Sequence, residues 1–489
     1  MDLHKIYGPP GTGKTTRLLG ILQEEIERGI HPHEIAFVSF TKKAAEEGKV
    51  RTRELMDVSA GDLANFRTLH SMAFKSLGIR RSEVIQIRHY RELCRQLGIE
   101  YVGQMTVEDG VIAGDKEGDR YLFLDQLSRN RRKDLRDQWK DTGEDLNWPE
   151  LEYFITALRK FKEQNGLLDF TDMLEQGLRE NPLPIRVAII DEAQDMTPLQ
   201  WTYALHVLQN ADRIYVAGDD DQAIYNWSGA DAGYFNTLRG TSEVLSRSYR
   251  LPGRLHRFAN KISGLISERK SKDWEPDREG GDIEYHAGLD YVDLSKGEWL
   301  ILARNKYLLT ELMESVRAQG YHYTSRMGSS INNRHLRGIL GLENMRRKKS
   351  VSVGDARVAS ELAGVDAGKL TKMEDDKRVH LNHTNLDPDL NWYKQLSGIS
   401  TEDREYYSAL IQNGEKLTGD SRIHIDTIHG VKGGEADNVL LCSDMSYRTW
   451  RGFQDQPDHE HRVFYVGVTR ARKALHILMP QTDKSYNNI

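Results

Sequence analysis

Cysteine is nearly absent from this chain: only Cys94 and Cys442 occur among 489 residues. Two thiols cannot build a disulfide framework, a four-thiolate zinc site or an iron–sulfur cluster. A reducing, cytoplasmic setting is therefore expected. Long apolar runs are also missing. No stretch of about 18 apolar residues occurs, and the opening "MDLHKIYGPPGTGK" lacks the apolar segment of a secretory signal, so no membrane reading is retained. Nor is there a large excess of either charge, since 68 Lys and Arg against 74 Asp and Glu leave a net −6. A polyanionic partner would have to be met by local basic patches and not by an overall field.

The remaining composition suits a soluble protein with real cores: 38% hydrophobic and 29% charged residues, with a mean hydropathy of −0.63. The length suggests about two to four domains. "LHKIYGPPGTGKTTRLLGILQEEI" reads as a strand, a glycine-rich loop and a helix with Leu18, Leu19, Leu22 and Ile26 at helical spacing. "EIAFVSFTKKAAEEGKVRTREL" repeats the pattern. "IRVAIIDEAQDMTPLQWTYALHVLQNADRIYVAGDDDQ" gives a buried strand, a helix opened by Thr197 and Pro198, and another strand. Such alternation predicts an α/β fold of parallel, helix-covered sheets with ligands beyond the carboxyl ends of the strands.

The expected organisation is two α/β domains, each interrupted. Residues 1–79 and 175–245 form the first, with a mostly helical insertion at 80–174. Residues 246–335 and 421–489 form the second, with a polar insertion at 336–420.

"GPPGTGKT" satisfies G-x-x-x-x-G-K-T directly after a strand and before a helix. Gly8, Pro9, Pro10, Gly11, Thr12, Gly13, Lys14, Thr15 and Thr16 are read as the nucleotide-binding set. Backbone N–H groups and the helix N-terminus would surround phosphate oxygens, Lys14 would add a point charge, and the Thr15 hydroxyl would reach Mg²⁺. A carboxylate at a second strand end should complete the metal site, and "VAIIDEAQD" offers Asp191 for it. Glu192 beside it is placed to orient or deprotonate an attacking water.

With these two blocks, "FVSFTKKAAEEGKVR", "TLHSMAFKSLG", "LLDFTDML", "GDDDQAIYNWSGAD", "SRSYRLP", "LILARN", "DTIHGVKGGEADNVLL" and "FYVGVTRARKAL" follow in an order that resembles the UvrD/Rep-type superfamily 1 helicases. The resemblance implies two RecA-like P-loop NTPase domains that hydrolyse ATP with Mg²⁺ and move along single-stranded DNA, usually 3′ to 5′. It further implies that Gln222 contacts the γ-phosphate, that Arg250 and Arg470 reach across from the second domain, that Tyr249 stacks on adenine, and that Glu435 holds the ribose. An arginine supplied from another domain makes hydrolysis conditional on closure and contributes about 10³ to 10⁵ in rate.

The same resemblance implies a single-strand track in which Tyr225 and Trp227 stack bases, Phe40 and Thr41 form a contacting loop, and Phe170, His70 and Arg304 extend it. Stacking suits a motor that does not read sequence, because every base has a π-face. His429 would couple the DNA and ATP sites. The basic runs at Arg131–Lys133 and Arg346–Lys349 are read as solvated faces. The histidines of "DHEHR" and "IHIDTIHG" are read as motif residues and not as metal ligands.

Three features depart from the family pattern. The seven residues before Gly8 hold no glutamine for adenine recognition, Gly434 stands where leucine is usual, and Ser228 stands where arginine is common. The functional expectation is a DNA helicase acting on single strands and single/double-strand junctions. A protein-displacing translocase or an RNA helicase is the alternative.

Overall fold

The computed structural model describes residues 2–39, 42–55, 58–59, 61–103, 106–108, 111–113, 116–142 and 145–489. Among them the chain divides into two compact units: residues 1–282, 445–469 and 488–489 form one, and 283–444 with 470–487 form the other.

Unit 1 is built on strands β1 (Asp2–Tyr7), β2 (Ile35–Val38), β3 (Phe66–Arg67), a small hairpin of β4 (Thr106–Glu108) and β5 (Val111–Ala113), then β6 (Val187–Ile190), β7 (Arg213–Gly218) and β8 (Thr241–Val244). Six of these form one sheet in the order β3-β2-β6-β7-β1-β8, every pairing parallel. Parallel pairing needs crossover helices that cover both faces. The central strands β2 and β6 are accordingly buried along their whole length. Two apolar cores result, one around Trp201, Tyr203 and Ile214, the other around Leu18, Leu22 and Phe66.

The helices Ile87–Leu97, Glu117–Asn130, Leu135–Thr142 and Trp148–Asn165 are inserted between β3 and β6 and share a core of Cys94, Leu124, Phe154 and Leu158. Short strands β9 (Arg247–Ser248) and β10 (Glu275–Pro276) pair with each other and flank the helix Gly253–Ser263.

Unit 2 holds β11 (Asp282–His286), β12 (Trp299–Ala303), β13 (Tyr323–Ser325), β14 (Gly328–Ser329), the pair β15 (Val351–Ser352) and β16 (Arg378–Val379), β17 (Ile423–Thr427), β18 (Ala436–Cys442) and β19 (Ala471–Leu478). Seven of them make a sheet ordered β11-β19-β18-β12-β17-β13-β14. The segment expected to be a polar insertion folds around a core of its own, with Leu342, Val353, Leu362, Trp392 and Tyr407. Its helices Asn333–Arg346, Val353–Ala363 and Thr401–Gln412 supply those side chains from narrow apolar stripes on otherwise charged surfaces.

The expected partition placed residues 246–335 and 421–489 in the second domain. The structure instead packs 246–282 and 445–469 into unit 1. The physical reason lies in a buried ion cluster described below. No helix among the described residues is long and apolar enough to cross a membrane.

Candidate nucleotide and nucleic-acid site

In the first sheet Tyr7 is level with Gly218, and Ile190 with Val216, so the ends of β6, β7 and β1 emerge along one edge. Asp191, Asp219 and Gly8 therefore follow three adjacent strands. The loop after β1 is tied to its neighbour by the Gly8 N–H donating to the Gly218 carbonyl at 3.0 Å. Lys14 Nζ donates to the Gly8 carbonyl at 2.8 Å, closing the loop around its own ammonium. A Cβ on Gly8 would fall 1.9 Å from Lys14 Cγ, so only glycine leaves room for the lysine there. Gly11 has φ +72° and an added Cβ would lie 2.3 Å from Arg250 Cβ, a double requirement for glycine. The helix Lys14–Glu27 starts directly after Gly13, its N-terminal N–H groups facing the loop. Lys14 and Thr15 are half-buried and Thr16 is exposed. This cradle fits a phosphate chain.

Asp191 is buried, and its Oδ1 accepts from the Glu192 N–H at 2.9 Å. Glu192 has φ +54°, a left-handed backbone that costs a non-glycine residue on the order of 1 kcal/mol and is characteristic of working sites. Its carboxylate accepts from Gln194 Nε2 at 2.6 Å, while Gln194 Oε1 accepts from the Asp219 N–H at 3.0 Å. Gln194, fully buried, thus links the carboxylate to the end of β7. It was not singled out from the sequence, although an amide inside "DEAQD" is the signal that marks it.

Gln222 is buried and donates from Nε2 to Asp219 Oδ2 at 2.7 Å. The three aspartates beside it surround one cation. Lys272 Nζ lies 3.0 Å from Asp219 Oδ1 and 2.9 Å from Asp221 Oδ2 and also pairs with Asp220, and all four side chains are fully buried. Arg269 adds a bidentate pair to Asp221, at 2.8 Å from Nε and 2.5 Å from Nη2. The Lys270 N–H donates to Asp220 Oδ2 at 2.6 Å, and Arg462 Nε donates to the Asp220 carbonyl at 3.1 Å.

Burial alone would raise the Asp219 carboxyl, but Lys272 and Lys14 hold it below the usual carboxylate value. Burial wins at Asp221, whose pKa is raised despite Arg269 and Lys272. Residues 269–272 and 462 had no sequence reading. They are what locks this part of the chain into unit 1, because a buried carboxylate trio requires cations from somewhere.

Ser248, Tyr249 and Arg250 lie against the phosphate loop. Ser248 Oγ donates to the Pro10 carbonyl at 2.7 Å, and the Tyr249 N–H donates to that of Gly11 at 2.9 Å. The Tyr249 ring is exposed, as a stacking platform requires. Arg250, expected to arrive from a second domain, belongs to the same compact unit as the loop, and its Nη1 reaches the Thr469 carbonyl at 3.4 Å.

In unit 2, Arg470 is buried and donates from Nη1 to the Gly434 carbonyl at 3.3 Å. Glu435 is exposed and lies 3.7 Å from Arg472. Arg304 is buried at the end of β12, only 2% exposed, and His429 is half-buried after β17.

The proposed base platforms of unit 1 cluster. His70 and Phe170 meet edge to face at 5.8 Å, and Tyr225 and Trp227 at 6.0 Å. Phe170 is 61% exposed, whereas Trp227 packs against the helical core that holds Leu127 and Phe154. A cavity of about 740 Å³ is lined by His70, Tyr90, Asn130, Asp169, Phe170 and Ser228 among others. Burial pushes the His70 imidazole down to about 4, Asp169 opposing, so it is neutral at physiological pH. Arg131 Nη2 donates to the Asn226 carbonyl at 3.1 Å, so one member of the presumed solvated run anchors the aromatic loop. Phe40 and Thr41 lie outside the described residues.

Residues 3–242 match the family model of the UvrD/REP helicase N-terminal domain, and residues 402–482 match that of the UvrD-like helicase C-terminal domain. DNA helicase II of Rickettsia typhi is 26% identical over 355 residues, covering 64% of this chain and 48% of its own length. An ATP-dependent DNA helicase PcrA of Staphylococcus epidermidis is 25% identical over 339 residues, covering 64% of this chain and 44% of its own. The chain spans about half the length of the curated relatives it matches. Among solved structures, a complex of an arterivirus nonstructural protein 10 helicase with DNA matches 98% of this chain and 61% of its own at 10% identity, with a TM-score of 0.33. With a glycine-rich loop, an acidic strand end and parallel α/β sheets under these two family matches, the chain belongs to the UvrD/Rep-type superfamily 1 helicases with RecA-like domains.

Proposed function

We propose that this protein is an ATP-dependent DNA helicase that translocates on single-stranded DNA from 3′ to 5′ and unwinds duplex at single/double-strand junctions in the cytoplasm. The observation that carries the reading is the short segment from Asp219 to Trp227. It begins at the phosphate-loop edge of the sheet with Gln222 bonded to Asp219. It ends at the aromatic pair Tyr225 and Trp227, beside the cavity lined by His70 and Phe170.

In this reading Lys14 and the loop N–H groups hold the phosphates of ATP, with Thr15 and Asp191 as the residues that would hold Mg²⁺. The ion, when bound, neutralises charge on the β- and γ-phosphates. Glu192, positioned by Gln194, orients a water and accepts its proton. Tyr249 stacks on the base, Glu435 holds the ribose, and Gln222 senses the γ-phosphate. Arg250 and Arg470 stabilise charge developing on the transferred group, Arg470 when the two RecA-like domains close. His429 couples that step to the strand, which Phe40, Thr41, His70, Phe170, Tyr225, Trp227 and Arg304 contact.

Unwinding of matched 3′-tailed and 5′-tailed duplexes with ATP and Mg²⁺ tests this. The expected result is strand separation from the 3′ tail, lost in Lys14→Ala and Glu192→Gln. Exclusive use of the 5′ tail overturns the polarity. Protein displacement without unwinding replaces the helicase by a translocase, and stimulation by RNA alone replaces the substrate.

A further inference from the structure

We propose that Glu284, His286 and His476 form a binding site for one divalent transition-metal ion of the zinc class, in unit 2 and apart from the phosphate loop. Glu284 and His286 are two residues apart on β11 and so project from the same face of that strand. His476 lies on β19, the neighbouring strand of the sheet. The pairing brings three ligand atoms together. His286 Nε2 and His476 Nδ1 are 3.0 Å apart, and Glu284 Oε2 is 3.5 Å from each of them.

The triangle has the dimensions of a metal site. Donors held tetrahedrally about 2.0–2.1 Å from zinc lie about 3.3–3.4 Å from one another. The two Glu284 separations fall close to that edge and the histidine pair is somewhat shorter. A hydrogen-bonded histidine pair would explain one edge, but the carboxylate is too far from both rings for good hydrogen bonds and equidistant from them.

Two neutral imidazoles and one carboxylate form a donor set that suits zinc, and their single negative charge complements a dication. The His476 ring packs against the Trp299 ring at 4.8 Å and the His286 ring at 5.2 Å, which restricts the orientation of its donor nitrogen. His476 is buried, His286 half-buried and Glu284 exposed. An open position of the ion would face solvent on the Glu284 side, where a water would complete the shell. The ion would pin β11, at the end of the strand order, to β19.

The full chain, stripped with a chelator, is titrated with Zn²⁺ against a chromophoric competitor, and with Co²⁺ followed by visible absorption. One ion per chain is expected, with a tetrahedral Co²⁺ spectrum and a higher melting temperature in Zn²⁺. Glu284→Gln and His286→Asn should each weaken Zn²⁺ by at least about tenfold and abolish the thermal shift. Both substitutions lie at the accessible side of the trio, and circular dichroism of the metal-free variants checks that they fold. Cu²⁺ bound at the site should quench a fluorescence component that is missing in Trp299→Phe. Absence of stoichiometric binding by the parent, or unchanged affinity in both variants, overturns the proposal and leaves a proton-sharing histidine pair.

Discussion

Gln194 Oε1 accepts a hydrogen bond from the Asp219 N–H at 3.0 Å, while Nε2 of the same amide donates to the Glu192 carboxylate at 2.6 Å. One buried side chain thereby fixes the acid after β6 relative to the end of β7. Gln194→Leu would leave the Asp219 N–H unsatisfied at a cost of about 1–3 kcal/mol and free the Glu192 carboxylate. The expected outcome is a lower melting temperature and a roughly tenfold fall in ATPase kcat with KM little changed, since Gln194 acts through Glu192. Steady-state kinetics and a thermal melt check both.

The left-handed backbone at Glu192 makes the opposite demand on stability. Glycine adopts φ +54° without strain. Glu192→Gly relieves that strain but takes the acceptor from the buried Gln194 amide, so the melting temperature is expected to change little while hydrolysis falls by about 10² or more, the share typical of a general base. Fluorescent-nucleotide binding should persist. Retained hydrolysis would remove Glu192 from the mechanism.

Phe170 and Trp227 separate affinity from packing. Phe170 is 61% exposed, so Phe170→Ala should weaken single-strand DNA by about 1–3 kcal/mol without lowering the melting temperature. Trp227 leans on the insertion core, so Trp227→Ala should lower both. Fluorescence anisotropy with an oligonucleotide, alongside thermal melts, distinguishes the two patterns.

Acid should release the ion network beneath Phe170. Burial would raise the Asp169 carboxyl, but Arg129 at 3.0 Å and Lys162 at 2.6 Å bring it down to about 2. Asp125, Asp172 and Glu175 face the same cations. A depressed carboxyl contributes stability that is present above its ordinary value of 3.8 and is lost as pH falls through about 2. The contribution is about 2 kcal/mol. Asp125, raised by burial, works in the opposite sense, its contribution being lost as pH rises. Asp169→Asn keeps a capping oxygen for the helix Phe170–Gly177 but removes the charge. The urea midpoints of parent and variant should differ at neutral pH and converge toward pH about 2.

Lys272→Met leaves three buried aspartates with Arg269, paired to Asp221, as the remaining side-chain ion pair to the trio among the described residues. Breaking such a cluster from one side costs about 3–5 kcal/mol. The loss should be largest at neutral pH and shrink as pH falls and Asp221, whose pKa burial raises, takes up its proton. Denaturation at pH 7 and pH 4 measures it.

The amino-acid sequence by itself determined which residues stand at the strand ends. A glycine-rich loop between a strand and a helix, and an acidic pair after an apolar strand, are local patterns whose residues lie next to one another in the chain. Lys14, Asp191 and Glu192 could be proposed for that reason and Gln222 only through the family resemblance, while the alternation that makes a parallel sheet was legible directly. Only the tertiary structure decided what each acid faces. Lys272 and Arg269 meet Asp219–Asp221 from about 50 residues away, Arg250 shares a unit with Gly11, and His476 meets His286, 190 residues away, and Glu284 beside it. No local periodicity encodes such pairs, because burying an aspartate trio or converging three donors depends on which strands become neighbours.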